Sequence, residues 1–171
     1  SMGLTPLEGL IMGTRSGDLD PSIVEFIANK ENLTASQVLN ILNKKSGVQG
    51  LSGVSSDFRD LEDGYNAGDE RCITALEVFS YRVAKYIGSY VAAMNGIDAI
   101  AFTAGIGENN GAYRKAMTAG LEFMGVAIDD AKNAIRGEEI DVSAEGATIK
   151  TLVIPTNEEL VIALDTKEVL A

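Results

Sequence analysis

Histidine is absent from the 171 residues. That removes the side chain that most often shuttles protons near neutral pH and the commonest zinc ligand, so any acid or base here is a carboxylate, lysine, tyrosine or cysteine. Cysteine occurs once, at Cys72. A single thiol rules out an internal disulfide and a cysteine metal cluster, and it fits a reducing, cytoplasmic setting. Cys72 lies in an apolar helical pattern and, although Arg71 precedes it, reads as a core residue. Basic residues are scarce, 14 lysines and arginines against 25 aspartates and glutamates, for a net charge of −11. With no cluster among those few positive charges, binding to nucleic acid or to an anionic membrane is not expected. No apolar run approaches the roughly 20 residues of a spanning helix, and no basic stretch followed by an apolar one opens the chain.

What remains is ordinary globular composition, 46% hydrophobic and 23% charged, enough for one core or one core and a fragment. Thr5, Pro6 and Glu8 before Leu7, Leu10 and Ile11 predict a short helix that runs into a Gly-rich loop, Met12 to Gly17. Asp20-Pro21 starts a second helix, and Thr34 with Gln37 caps a third. A Gly and Ser rich loop, 47–56, leads to Asp57-Phe58-Arg59 and a new helical pattern at Leu61. From Glu70 to Met94 the apolar spacing of three and four residues predicts about seven helical turns, stopped by Asn95-Gly96.

Beyond that stop, 97–103 reads as a strand covered on both faces and 105–110 as a polar loop. Residues 112–123 read as a helix, 126–128 as a short extended piece and 129–135 as a brief helix. Two more strands follow at 140–142 and 149–154, and Thr156 with Glu159 caps a last helix. Helices first and alternating strand and helix afterwards predict an α/β fold with a helical insertion.

Several residues could carry chemistry. Gly105, Ile106, Gly107, Glu108 and Asn109 follow a strand pattern and precede a helix, where glycine lets main-chain amides approach an oxyanion. The same spacing also serves a plain strand-to-helix turn, and it is neither a P-loop nor a dinucleotide fingerprint. Arg15, flanked by Gly13 and Gly17, offers a planar guanidinium to a phosphate or carboxylate, or simply faces solvent. Asp57, Phe58 and Arg59 could hold a ribose hydroxyl and a ring, or form a helix cap beside an aromatic anchor. Glu158 sits where a helix dipole favours a carboxylate whatever its function.

Taken together, Ser1 to Leu10, Met12 to Asp18, Ser55 to Asp60, Phe102 to Asn109 and Thr156 to Glu159 resemble the acetate kinase (acetokinase) family in order and spacing, over essentially the whole chain. The resemblance implies the fold of the actin-like ATPase and sugar kinase superfamily, a ribonuclease H-like α/β domain. It also implies reversible phosphoryl transfer between ATP and acetate, giving acetyl phosphate and ADP. By position, Arg15 matches the arginine that stabilises the transferring phosphoryl group. Asp57, Phe58 and Arg59 match the adenosine-contacting segment, and Gly105 to Asn109 match the second nucleotide loop. Glu158 matches the carboxylate associated with Mg2+ or Mn2+.

Family members are much longer and homodimeric. Residues 1–171 are therefore expected to be a C-terminal nucleotide-binding and dimerisation domain, with 157–171 a terminal helix that belongs with an N-terminal domain. That N-terminal part would carry the acetate pocket, the other magnesium contacts, a catalytic aspartate, a histidine and the first phosphate loop, so this chain alone is expected to show no turnover. Tyr81, Tyr86 and Tyr90 are candidates for the dimer interface, and Ser1 is either native or a remnant of a tag. Two alternatives stay open: a propionate or butyrate kinase of the same fold, or a stand-alone, non-catalytic nucleotide-binding or dimerisation module.

Overall fold

Capping side chains set most of the helix starts. A computed structural model describes residues 1–170, which form two compact units, Ser1–Tyr90 and the residues from Val91 onward. In the first unit, α1 (Ser22–Glu31) begins where the Asp20 carboxylate accepts from the Ser22 amide at 2.9 Å, and it ends at left-handed Asn32. Thr34 and Gln37 form a reciprocal capping box at the head of α2 (Ala35–Lys44). The short α3 (Gly47–Ser52) follows, and Asp57 caps α4 (Phe58–Asn66) by accepting from the Arg59 amide. The long α5 spans Glu70–Met94. Val38, Val48, Leu61, Ala75, Leu76 and Phe79 are buried together with Cys72, whose thiol is pushed up in pKa by that burial.

The second unit begins with the end of α5, where Gly96 donates to the Val91 carbonyl at 2.9 Å and both Asn95 and Gly96 have positive φ. Its sheet has the order β1-β3-β2. β1 (Ala99–Phe102) is parallel to β3 (Lys150–Val153), with Ala99 opposite Lys150 and Phe102 opposite Val153. β2 (Ile140–Asp141) is antiparallel to β3. Between β1 and β2 come α6 (Ala104–Asn109), α7 (Gly111–Thr118), a 3-10 turn at Glu122–Met124 and α8 (Asp130–Asn133). Val126 and Ile128 bridge to Ile149 and Ser143, extending the pairing. Phe102, Met117, Leu121, Val126, Val142 and Val153 make the core. The last described element is α9 (Glu158–Leu170).

Several expectations change. Residues 5–11 form turns rather than a helix; Thr5 accepts from Leu7 only two residues on, at 3.4 Å. Gly9, at φ +114°, interrupts the segment in a conformation a right-handed helix does not contain. Residues 47–52 are helical because the first amides of α3 find carbonyl partners elsewhere in the chain. Residues 104–109 are likewise helical rather than a loop. The helix expected over 112–123 stops at Thr118, with Gly120 in the left-handed region.

β1 is not covered on both faces, since Ala99 and Ala101 are exposed on this edge strand. Thr156 does not cap α9; the Asn157 side chain does, accepting from the Leu160 amide at 3.1 Å. None of the residues of α9 is buried, and its Leu160, Val161, Ile162 and Leu164 are all exposed.

Replacing the fully buried Leu61 by alanine is expected to lower unfolding stability by about 3 kcal/mol in a denaturant titration. Hydrogen exchange is expected to be near the unprotected rate in α9 and slow in the buried half of α5, because burial rather than helical propensity protects a helix of this length.

Candidate functional site

In the first unit the loop from Met12 to Ser16 is fastened main chain to main chain. Val48 and Gln49, the first amides of α3, donate to the carbonyls of Met12 and Gly13 at 3.0 Å each, and Ser46 donates to Thr14 at 2.9 Å. On the other side Ser16 donates to the Leu42 carbonyl at 2.9 Å, and the Thr14 hydroxyl to the Asn43 carbonyl at 3.0 Å. The approach demands glycine at position 47, where φ is +64° and a Cβ would lie 2.3 Å from the Met12 oxygen.

Arg15 stands at the apex of this strapped loop, half-buried. Its carbonyl accepts from the Met12 amide at 3.1 Å, while its guanidinium has no partner among the described residues. A guanidinium held by its backbone and left with unused donors suits an oxyanion.

The Asp57 segment adjoins this loop, because the main chain of Gly13 packs on Ser56, whose oxygen would lie 3.0 Å from a Cβ there. Asp57 serves as the helix cap and also as a bidentate partner for Arg59, with Nη2 to Oδ2 at 2.6 Å and Nε to Oδ1 at 3.0 Å. The Arg59 guanidinium holds the Asp57 carboxyl down at about 2. The Phe58 ring packs edge-on to Phe79 with centroids 4.7 Å apart, so it anchors α4 to the core. Cap, ion pair and aromatic anchor thus coexist on three consecutive residues, with the Arg59 side chain 89% exposed.

A cluster not foreseen from the sequence joins this unit's ends. Asp18 receives hydrogen bonds from the Tyr86 hydroxyl and, at 3.2 Å, from Arg82, side chains one turn apart on α5. Asp18 and Arg82 border a cavity of 460 Å³ together with Ser16, Lys45, Gly47 and Leu51. The Tyr86 hydroxyl, pushed up to about 12 by burial and by Asp18, is engaged inside the chain; Tyr81 and Tyr90 remain exposed. The spacing of Arg82 and Tyr86 was visible, but nothing local pointed to Asp18.

In the second unit the strand-to-helix turn that starts α6 is built around Glu108. Its carboxylate accepts from the Ala104 amide at 2.7 Å, the Thr156 amide at 2.7 Å and the Thr156 hydroxyl at 2.9 Å. The Thr103 and Thr156 hydroxyls are 2.6 Å apart. Glu108 therefore clasps the turn after β1 to the turn after β3, two residues from Glu158, and the Thr156 donors hold its carboxyl below the usual range. Gly105 and Asn109 are exposed, Ile106 is half-exposed, and the buried Gly107 packs on Phe102.

Glu158 is exposed in the first turn of α9. No group of three or more carboxylates or cysteines gathers anywhere among the described residues. Glu158 can supply one oxygen to a hydrated divalent ion that is shared with other groups, but the described residues do not form a metal site alone.

Residues 1–164 match the Acetokinase family. The chain belongs to that family. It is 65% identical to the acetate kinase of Agathobacter rectalis over 97% of its own length, yet covers 42% of that relative. A solved acetate kinase from Porphyromonas gingivalis superposes with a TM-score of 0.93 at 45% identity, covering 100% of this chain and 43% of the other. A propionate kinase from Francisella tularensis superposes at 0.87 with 43% identity, covering 95% and 41%. This acetokinase-family chain thus has the α/β fold of the actin-like ATPase and sugar kinase class and spans about two fifths of the length of its relatives. No helix among its described residues is long and apolar enough to cross a membrane.

The Glu108 clasp of this family member responds to acid with a definite sign. A carboxyl lowered by folding stabilises above its ordinary value of 4.5 and loses that contribution as pH falls below it. Hydrogen exchange at Ala104 and Thr156, corrected for intrinsic rates, is expected to lose protection progressively as pH falls below 4.5, and Glu108→Gln to remove that pH dependence.

Proposed function

We propose that this chain is the C-terminal nucleotide-binding and dimerisation part of an acetate kinase, which transfers a phosphoryl group reversibly between ATP and acetate to give ADP and acetyl phosphate. The observation that carries this reading is Arg15, a half-buried guanidinium without a partner among the described residues, on a loop fastened from both sides. Phosphoryl transfer needs little covalent chemistry from the protein. It needs fixed positive charge where negative charge spreads over the equatorial oxygens, and donors that do not have to reorganise. Arg15 is assigned that role.

Asp57, Phe58 and Arg59 are assigned to the adenosine, Phe58 as the anchor that fixes the segment and Arg59 as its exposed arm, held by Asp57. The exposed side of residues 105–109 is assigned to the nucleotide as well. Glu158 is assigned one contact to Mg2+ or Mn2+, which neutralises phosphate charge when bound. In this reading the protein is cytoplasmic and homodimeric, with Tyr81 and Tyr90 as outward-facing interface candidates. α9, unburied and carrying the exposed apolar run Leu160, Val161, Ile162 and Leu164, is assigned to pack on the remainder of the enzyme, since a run of that kind is normally covered.

A propionate kinase is the second reading, favoured by the likeness to the Francisella tularensis structure. The acyl pocket that separates the two readings is assigned to the rest of the enzyme, as are the remaining catalytic groups.

Isothermal titration of the 171-residue chain with magnesium ADP, beside a coupled assay for acetate-dependent ATP consumption, tests the reading. Binding that weakens in Arg59→Ala and Gly105→Val, without turnover, is expected; no binding by the parent chain, or turnover by it, would overturn the assignment. In a full-length relative, replacement of the arginine equivalent to Arg15 by alanine is expected to lower kcat by about 10³-fold with a smaller change in nucleotide KM.

A further inference from the structure

Among the described residues, Arg114 is the largest side chain that is completely buried. Its guanidinium makes four hydrogen bonds, none to a carboxylate. Nη1 donates to the carbonyls of Gly107 at 2.7 Å and Glu108 at 3.0 Å, Nε donates to Oδ1 of Asn133 at 2.8 Å, and Nη2 to the Asn133 carbonyl at 2.7 Å. Asn133 is itself tied down by its side-chain amide, which donates to the Gly111 carbonyl at 2.7 Å. The fit leaves no room: a Cβ at Gly111 would lie 2.4 Å from the Asn133 oxygen. Burial and the charge of Arg136 both act against the guanidinium's positive charge.

Burying a charge with no counter-ion is expensive, and a methionine or leucine would fill the same space without that cost. What an apolar side chain cannot do is grip carbonyls. Gly107 and Glu108 lie in the last turn of α6, where helix carbonyls have no partner within the helix. Arg114 takes both from the inner side. The outer side of the same helix is bare: nothing lies within 4 Å of a Cβ built on Gly105, and Gly105 and Asn109 are exposed. One side of a six-residue helix is thus bolted to the core and the other is open.

We propose that Arg114 is a positioning residue for the nucleotide: by holding the end of α6 it fixes the outward surface of residues 105–109 in the form that binds a nucleoside diphosphate. This rests on the assignment of that surface to the nucleotide. Arg114 touches no ligand itself, and its effect passes through the two carbonyls. A lysine could reach one of them as a single point donor, without the planar fork that also engages Asn133.

Amide NMR of the 171-residue chain, with Arg114→Lys and Arg114→Met beside the parent, tests this through loop exchange rates and a magnesium ADP titration. In Arg114→Met the 105–109 amides are expected to exchange faster and ADP to bind about tenfold more weakly, while Val142 and Val153 keep their protection. Arg114→Lys is expected to fall between, and millimolar guanidinium to restore part of the ADP affinity of Arg114→Met by refilling the vacated site. Unchanged loop amides and ADP affinity in both variants would overturn the proposal, as would an equal loss of protection in loop and strands in Arg114→Lys, which would mark a general packing role. If the parent binds no ADP, the nucleotide assignment fails on its own; the exchange pattern in Arg114→Lys still decides whether Arg114 holds the loop.

Discussion

Main-chain polar groups at irregular corners must find partners, and in this molecule they find them at long range. The loop carrying Arg15 makes no regular secondary structure of its own; its carbonyls are satisfied by the first amides of α3 and its flanks by the end of α2. Each partner solves the other's problem. The amides at the start of a helix have no intrahelical acceptor, and loop carbonyls have no ladder. A six-residue helix and a glycine-flanked loop, each unstable alone, become one rigid corner. The catalytic candidate inherits that rigidity, because Arg15 lies between two fastened residues.

The second unit meets the same requirement with side chains instead of main chain. Arg114 collects carbonyls at the end of α6, and Glu108 collects amides and hydroxyls at its start. The two ends of this short helix are therefore held by opposite charges working on opposite kinds of group. Neither charge pairs with the other. Glu108 keeps its place at the rim, where solvent moderates the cost of its charge, and Arg114 is wholly enclosed.

Local signals were legible in the sequence and distant ones were not. The capping box of Thr34 and Gln37, the span of α5 from Glu70 to Met94 and its stop at Asn95-Gly96 all depend on residues within four positions of one another. α3 and α6 were misread as loops because their glycines argue against helix, while the groups that stabilise them lie elsewhere in the chain. Composition cannot show that Met12 will accept from Val48, or that Arg114 will reach back to Gly107. The site divides in the same way. Arg15 between two glycines could be singled out, but its strapping and its free guanidinium could not. Glu108 was grouped with the nucleotide loop by resemblance, and its turn toward Thr156 depends on a threonine 48 residues away.

Ala104 carries a feature whose meaning lies in backbone strain. Its φ is +58°, a left-handed conformation that disfavours a methyl-bearing residue by roughly 1–2 kcal/mol. The turn at the head of α6 therefore carries a small backbone cost, which the Ala104 amide offsets by donating to Glu108 at 2.7 Å. Glycine at this position would relieve that cost in the folded turn and, by the same freedom, make the unfolded chain harder to order.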